Sequence, residues 1–150
     1  PNSLGERPRD ISMVIGRIAT HRVLGPIADM DRVGVAGHSF GAFTTLAVAG
    51  EVFGPAERSV GDARVKAAIA MSSPVPKRDR DRAFSAIKIP VLHMTGTEDS
   101  SPIGDTTAAE RRVPFDQING AEQFLVTFTG GDHMVFSGRS GWRGDPAHGS

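Results

Sequence analysis

The sequence contains no cysteine, and this absence removes disulfides, thiolate nucleophiles and cysteine-ligated zinc from consideration. It has no excess of charge either: seventeen Lys and Arg balance seventeen Asp and Glu. A neutral balance gives no global electrostatic basis for binding nucleic acid or an anionic membrane. No apolar run approaches the roughly 18 residues needed to span a bilayer. The opening stretch, Pro1 to Arg9, is polar and lacks the apolar segment of a signal peptide. What is present is 150 residues, 39% hydrophobic and 23% charged, a length and composition suited to one globular domain.

No internal repeat is visible. Ile11, Val14, Ile15 and Ile18 share the spacing of one helical face, which predicts a helix from Pro8 to about Leu24, closed by Gly25-Pro26. Asp31 to Ala36 reads as a short buried strand, and 40–50 as a helix with a glycine stop. Gly54 to Asp62 reads as a loop. Val65 to Met71 is a second strand, and Ile89 to Gly96 a third in which Pro90 is tolerable only near the start. Between them Val75 to Arg82 is basic, contains proline and lacks periodicity, which predicts a surface excursion; this stretch and the segment around Phe84 are the local candidates for the edge of a pocket. Pro102 to about Phe115 predicts a loop and a helix, and Gln123 to Phe128 a fourth strand ending at Gly130-Gly131. Gly138 to Ser150, with four glycines and a proline, is expected to be a flexible tail following a domain at 1–137. Strands alternating with helices predict an α/β fold, its mostly parallel sheet flanked by helices and buried on both faces.

Gly37-His38-Ser39-Phe40-Gly41 reads G-x-S-x-G between the first strand and its helix. A serine on such a turn is raised clear of the sheet at the positive end of a helix, the setting of a nucleophile elbow. The bland alternative is a small-residue turn that lets helix and strand pack closely. A serine hydroxyl needs a base, and a histidine base needs a carboxylate to fix its tautomer. After the third strand Asp99 is the candidate acid, with Glu98 and Asp105 as rivals. After the fourth, His133 is the candidate base, and Asp132 beside it is an alternative orienting group. His38 lies on the wrong side of its own serine to serve as base, and His93 in an apolar strand reads as a buried structural histidine. His21 falls on a helix end and His148 in the tail. The Phe40 N–H is one candidate oxyanion donor. A metal site formed by His93, Asp99 and His133 has no H-x-x-x-H pairing to support it, and no cofactor is indicated.

With these stretches, Arg32 to Ala42, Leu92 to Pro102 and Gly130 to Phe136, the chain resembles the α/β-hydrolase superfamily. Within it, the chain is similar to bacterial predicted dienelactone hydrolases and to lipase and acetylhydrolase relatives with a G-H-S-F-G elbow. The resemblance implies serine-dependent hydrolysis of a small-molecule ester through an acyl-enzyme, with Ser39, His133 and Asp99 as the triad. Dienelactone hydrolases themselves use cysteine, so lactone chemistry is not implied. Family members have about eight strands with the elbow after the fifth, so the resemblance implies a partial α/β-hydrolase fold: the C-terminal part of a catalytic domain. The strands that supply a second oxyanion donor would then be missing, a half sheet would leave an edge strand and an apolar face uncovered, and low activity is expected of this stretch alone. Competing readings are a peptidase of the same superfamily, a phosphate-cradling nucleotide module, and a non-catalytic truncated relative. Gly34, Gly37 and Gly41 do not form G-x-G-x-x-G, which counts against the nucleotide module.

Overall fold

The computed structural model describes residues 3–138. In chain order, α1 (Ser3–Thr20) is followed by β1 (Val33–His38), α2 (Phe40–Ala49), β2 (Val65–Met71), α3 (Arg80–Phe84) and β3 (Val91–Glu98). A 3-10 turn (Ala109–Arg112), α4 (Val113–Gln117) and β4 (Gln123–Asp132) complete it. Parallel neighbours cannot be joined by hairpins, so each strand pair is separated by a crossover that carries a helix. The sheet has the order β1-β2-β3-β4, with every pair parallel. All carboxyl ends of the strands therefore lie along one edge.

The core forms where α2 crosses β1 and β2. Leu46, Phe84, Ile87 and Val91 are fully buried and pack with Ala42, Ala68 and Ala70. Burying each of the four larger side chains contributes about 1.5–3 kcal/mol. A second cluster, Ile15, Val48 and Val65, joins α1 to α2 and the sheet. Phe84 itself is a core residue, while Arg82 and Ala83 in the segment around it face a cavity. Val14, expected on the packed face of α1, is 48% exposed.

Other boundaries shift for physical reasons. The helix expected over 8–24 runs over Ser3–Thr20, with Pro8 inside it, and the chain beyond turns at 22–27. The first strand extends past Ala36 because Gly37 and His38 pair with Ala70 and Met71, so pairing overrides glycine as a breaker. The third strand begins at Val91, after the proline that has no N–H to offer. The fourth continues through Gly130 and Gly131 to Asp132, which pairs with Glu98 across a register shift. Only one face of the sheet is covered among the described residues: Ile69, Phe124, Val126 and Phe128 are 38%, 49%, 40% and 40% exposed. The expectation of burial on both faces is corrected accordingly. The tail expected at 138–150 lies, Gly138 apart, outside the described residues.

Candidate active site

Ser39 follows β1 directly and precedes α2. Its N–H continues the ladder by donating to the Met71 carbonyl at 2.9 Å, while its own carbonyl accepts from Ala42 and Phe43 in the first turn of α2. Reversing direction within one residue forces φ to 57° and ψ to −118°, a conformation that favours glycine. Gly37 makes the turn sterically possible. A Cβ there would collide with the Gly41 carbonyl and lie 2.8 Å from Thr45 Oγ1, whereas a Cβ on Gly41 would meet open space.

The ends of β3 and β4 converge on the same point. Gly96 and Gly131 approach so closely that a Cβ on Gly96 would collide with the Gly131 carbonyl. This draws together the loops that carry Asp99 and His133. Asp99 is fully buried, and its Oδ2 accepts a hydrogen bond from Thr95 Oγ1 at 2.9 Å. Its Oδ1 lies 2.8 Å from His133 Nδ1, and His133 Nε2 lies 2.8 Å from Ser39 Oγ. With the proton on Nδ1, the imidazole donates to Asp99 and accepts from the Ser39 hydroxyl.

The structure brings Ser39, Asp99 and His133 into one relay and leaves the rival acids elsewhere. Asp132 Oδ1 accepts from the Met134 N–H at 2.9 Å, Glu98 stands opposite Asp132 in the sheet, and exposed Asp105 lies 3.8 Å from Lys77. His38 donates from Nε2 to the His133 carbonyl at 2.7 Å, so it braces the loop that carries the imidazole. His93 is buried and donates to Gln123 Oε1; burial lowers its pKa, against the opposing effect of that hydrogen bond. His21 Nδ1 accepts from the N–H groups of Val23 and Leu24 just beyond α1. His148 lies outside the described residues. Phe40 opens α2, where an N–H has no partner one turn earlier in the helix. Its ring stacks on Phe43 and carries the Arg7 guanidinium 4.4 Å above it.

Arg111 was not foreseen: it is 3% exposed and reaches both Asp99 and His133. Only Thr107-x-x-Glu110 hints at order in this segment. There Thr107 N–H donates to Glu110 Oε2, and Glu110 N–H donates to Thr107 Oγ1. A cavity of about 650 Å³ lies along α2, lined by Phe43, Glu51, Phe53, Val75, Lys77 and Arg82 among others. The excursion at 75–82 does form much of its wall, but Ser39, Asp99 and His133 do not line it. Among the described residues no cluster of His, Asp and Glu is placed to hold a metal, and no helix is long and apolar enough to cross a membrane.

A parallel sheet whose edge strand turns sharply through a serine into a helix, with helices in its crossovers, is the architecture of the α/β-hydrolase superfamily. The family model described as serine hydrolase (FSH1) matches residues 23–135, and the chain belongs to that family. None of the curated proteins matches the chain. Among solved structures it is similar to the Pyrococcus horikoshii acylaminoacyl peptidase, with 21% identity and a TM-score of 0.58. It is similar at 20% identity and the same TM-score to an acylaminoacyl peptidase in complex with Z-Gly-Gly-Phe-chloromethyl ketone. Each of these matches covers 87% of this chain and 24% of the other. Acetyl xylan esterase 1 from Thermoanaerobacterium sp. JW/SL YS485 has 16% identity and a TM-score of 0.55, with 83% of this chain and 46% of the other covered. The chain thus spans less than half the length of these neighbours.

Proposed function

We propose that Ser39, His133 and Asp99 are the nucleophile, base and acid of a serine hydrolase acting on carboxylic esters of small molecules. The observation that carries this is the relay of two 2.8 Å contacts between side chains brought from the ends of three strands. As Ser39 Oγ attacks the ester carbonyl, its proton passes to His133 Nε2, and Asp99 stabilises the imidazolium through Nδ1–H. Negative charge develops on the carbonyl oxygen, with the Phe40 N–H as one donor to it. His133 then protonates the departing alcohol, leaving an acyl-Ser39 ester that water hydrolyses by the same proton route in reverse. The chain is read as the C-terminal part of a larger catalytic domain, weakly active alone, which accords with the open sheet face and with the 24% and 46% of the neighbours that it covers. Loss of one oxyanion donor lowers rate by about 10²–10³.

The test is labelling by a fluorophosphonate probe, beside hydrolysis of p-nitrophenyl acetate and butyrate by the chain and by the longer gene product. Serine-dependent turnover should fall by on the order of 10⁶ in Ser39→Ala and by about 10⁴ in Asp99→Asn. Labelling that survives Ser39→Ala would sink the assignment. Cleavage of acyl-peptide anilides in preference to both esters would move the substrate class to peptides, the substrate named for two of the structural neighbours.

A further inference from the structure

Arg111 sits in the 3-10 turn after β3, and its guanidinium is almost wholly enclosed. Nε donates to the Asp99 carbonyl at 3.0 Å, and Nη1 donates to the carbonyls of Ser72 at 3.0 Å and Ser73 at 2.7 Å. Nη2 lies 3.4 Å from Asp99 Oδ1 and 3.1 Å from His133 Nδ1. One side chain therefore ties the loop after β2 and the loop after β3 to the imidazole that follows β4. Burial pulls its pKa down and the Asp99 carboxylate opposes this, but a guanidinium starts high enough to remain a cation. A buried cation is tolerable only when paired, and fully buried Asp99 is the partner.

His133 Nδ1 cannot donate to Asp99 and accept from Arg111 at once. The closer Asp99 oxygen, at 2.8 Å against 3.1 Å for Arg111, favours Nδ1–H. We propose that Arg111 is a positioning residue that fixes the Asp99 carboxylate against His133 and thereby holds the imidazole in the tautomer with its proton on Nδ1, leaving Nε2 to accept from Ser39. Its catalytic meaning rests on the Ser39–His133–Asp99 reading, whereas its effect on the tautomer does not.

The other ionisable groups around His133 are accounted for. Asp99 and neighbouring Glu98 come from the end of β3, Asp132 from β4, and His38, its ring centroid 4.9 Å away, from β1. Glu110, adjacent to Arg111, is paired with Lys77 and Arg80. Arg111 is the cation among them that contacts the imidazole.

The experiment reads the ring nitrogens of His133 by nitrogen NMR at alkaline pH, where the two neutral tautomers have distinct shifts, in the wild-type chain, Arg111→Met and Arg111→Lys. The wild-type ring should carry its proton on Nδ1; in Arg111→Met the two tautomers should mix and Ser39 labelling should slow by about 10–100-fold. Arg111→Lys keeps the charge but not the fork, so its labelling should slow as well. A folded Arg111→Met chain with the wild-type ring signals overturns the proposal. If Arg111→Met does not fold, Arg111→Lys decides: slowed labelling supports the role, and undiminished labelling refutes it. Labelling that persists in Ser39→Ala would defeat the triad reading and leave the tautomer result standing.

Discussion

The strain at Ser39 can be isolated by comparing two substitutions at that one position. Ser39 holds φ 57° and ψ −118°, where an L-residue is disfavoured and glycine is not. Such a residue costs about 1–3 kcal/mol. Ser39→Ala and Ser39→Gly lose the same hydroxyl contact with His133, so the contact cancels between them. Glycine relieves the strain but gives the unfolded chain about 0.4–1 kcal/mol more conformational freedom to lose. The difference leaves Ser39→Gly more stable than Ser39→Ala by about 1 kcal/mol, a shift of about 3 °C in Tm for a chain of this size. Urea unfolding at pH 7 would read it as a higher midpoint at an unchanged slope. Equal midpoints, or a more stable alanine variant, would show that the turn stores no backbone strain and refute the reasoning.

Two further outcomes follow from neighbouring geometry. Gly37→Ala should destabilise by about 3 kcal/mol, the upper end for overpacking, because its Cβ meets the Gly41 carbonyl and Thr45. Gly41→Ala, which meets nothing within 4 Å, should be neutral or stabilising by up to about 1 kcal/mol; thermal melts of the pair check both, and equal losses would refute the steric account. Glu51 is 2% exposed with Oε2 unpartnered, and burial raises its pKa well above the ordinary 4.5. A raised carboxyl costs nothing below its unfolded value; as pH rises from about 4.5 the unfolded chain ionises first and folded stability falls until the folded pKa is passed. Glu51→Gln removes that loss, so its Tm should match wild type near pH 4.5 and exceed it increasingly as pH rises above that, until the folded pKa is passed; a difference that does not change with pH would refute the burial argument.

The sequence made the alternation of strands and helices legible because each strand of a parallel sheet is a compact apolar run. It made Ser39, Asp99 and His133 legible as candidates because each follows such a run. It misplaced strand ends wherever glycine was read as a stop, since at Gly37 and at Gly130-Gly131 pairing with the neighbouring strand outweighs local propensity. Arg111 was beyond reach. In sequence Arg111 and Arg112 are equivalent basic residues, yet one is enclosed beside Asp99 while the other is exposed and pairs with Asp116 one helical turn on. Only the direction in which the 3-10 turn faces separates them, and no local spacing encodes that. The uncovered sheet face was not legible in the strands themselves, because a continuous apolar run looks the same whether one face or two is packed; it followed only from the partial sheet that the family resemblance implies.

A site of this kind tolerates displacements of only about 0.5 Å, although its members stand on loops, the most mobile parts of a fold. Here every loop is tied to something rigid. The Ser39 backbone is held by the Met71 carbonyl, the Asp99 side chain by Thr95 and Arg111, and the His133 carbonyl by His38. Glycine at 37 and 96 lets the chain segments approach closely enough for these ties to form. All of these ties lie within residues 23–135, the span that the family model matches. None draws on the face of the sheet where Ile69, Phe124, Val126 and Phe128 stand open. The distances between Ser39, His133 and Asp99 are thus set by contacts internal to the strand ends, away from that apolar face.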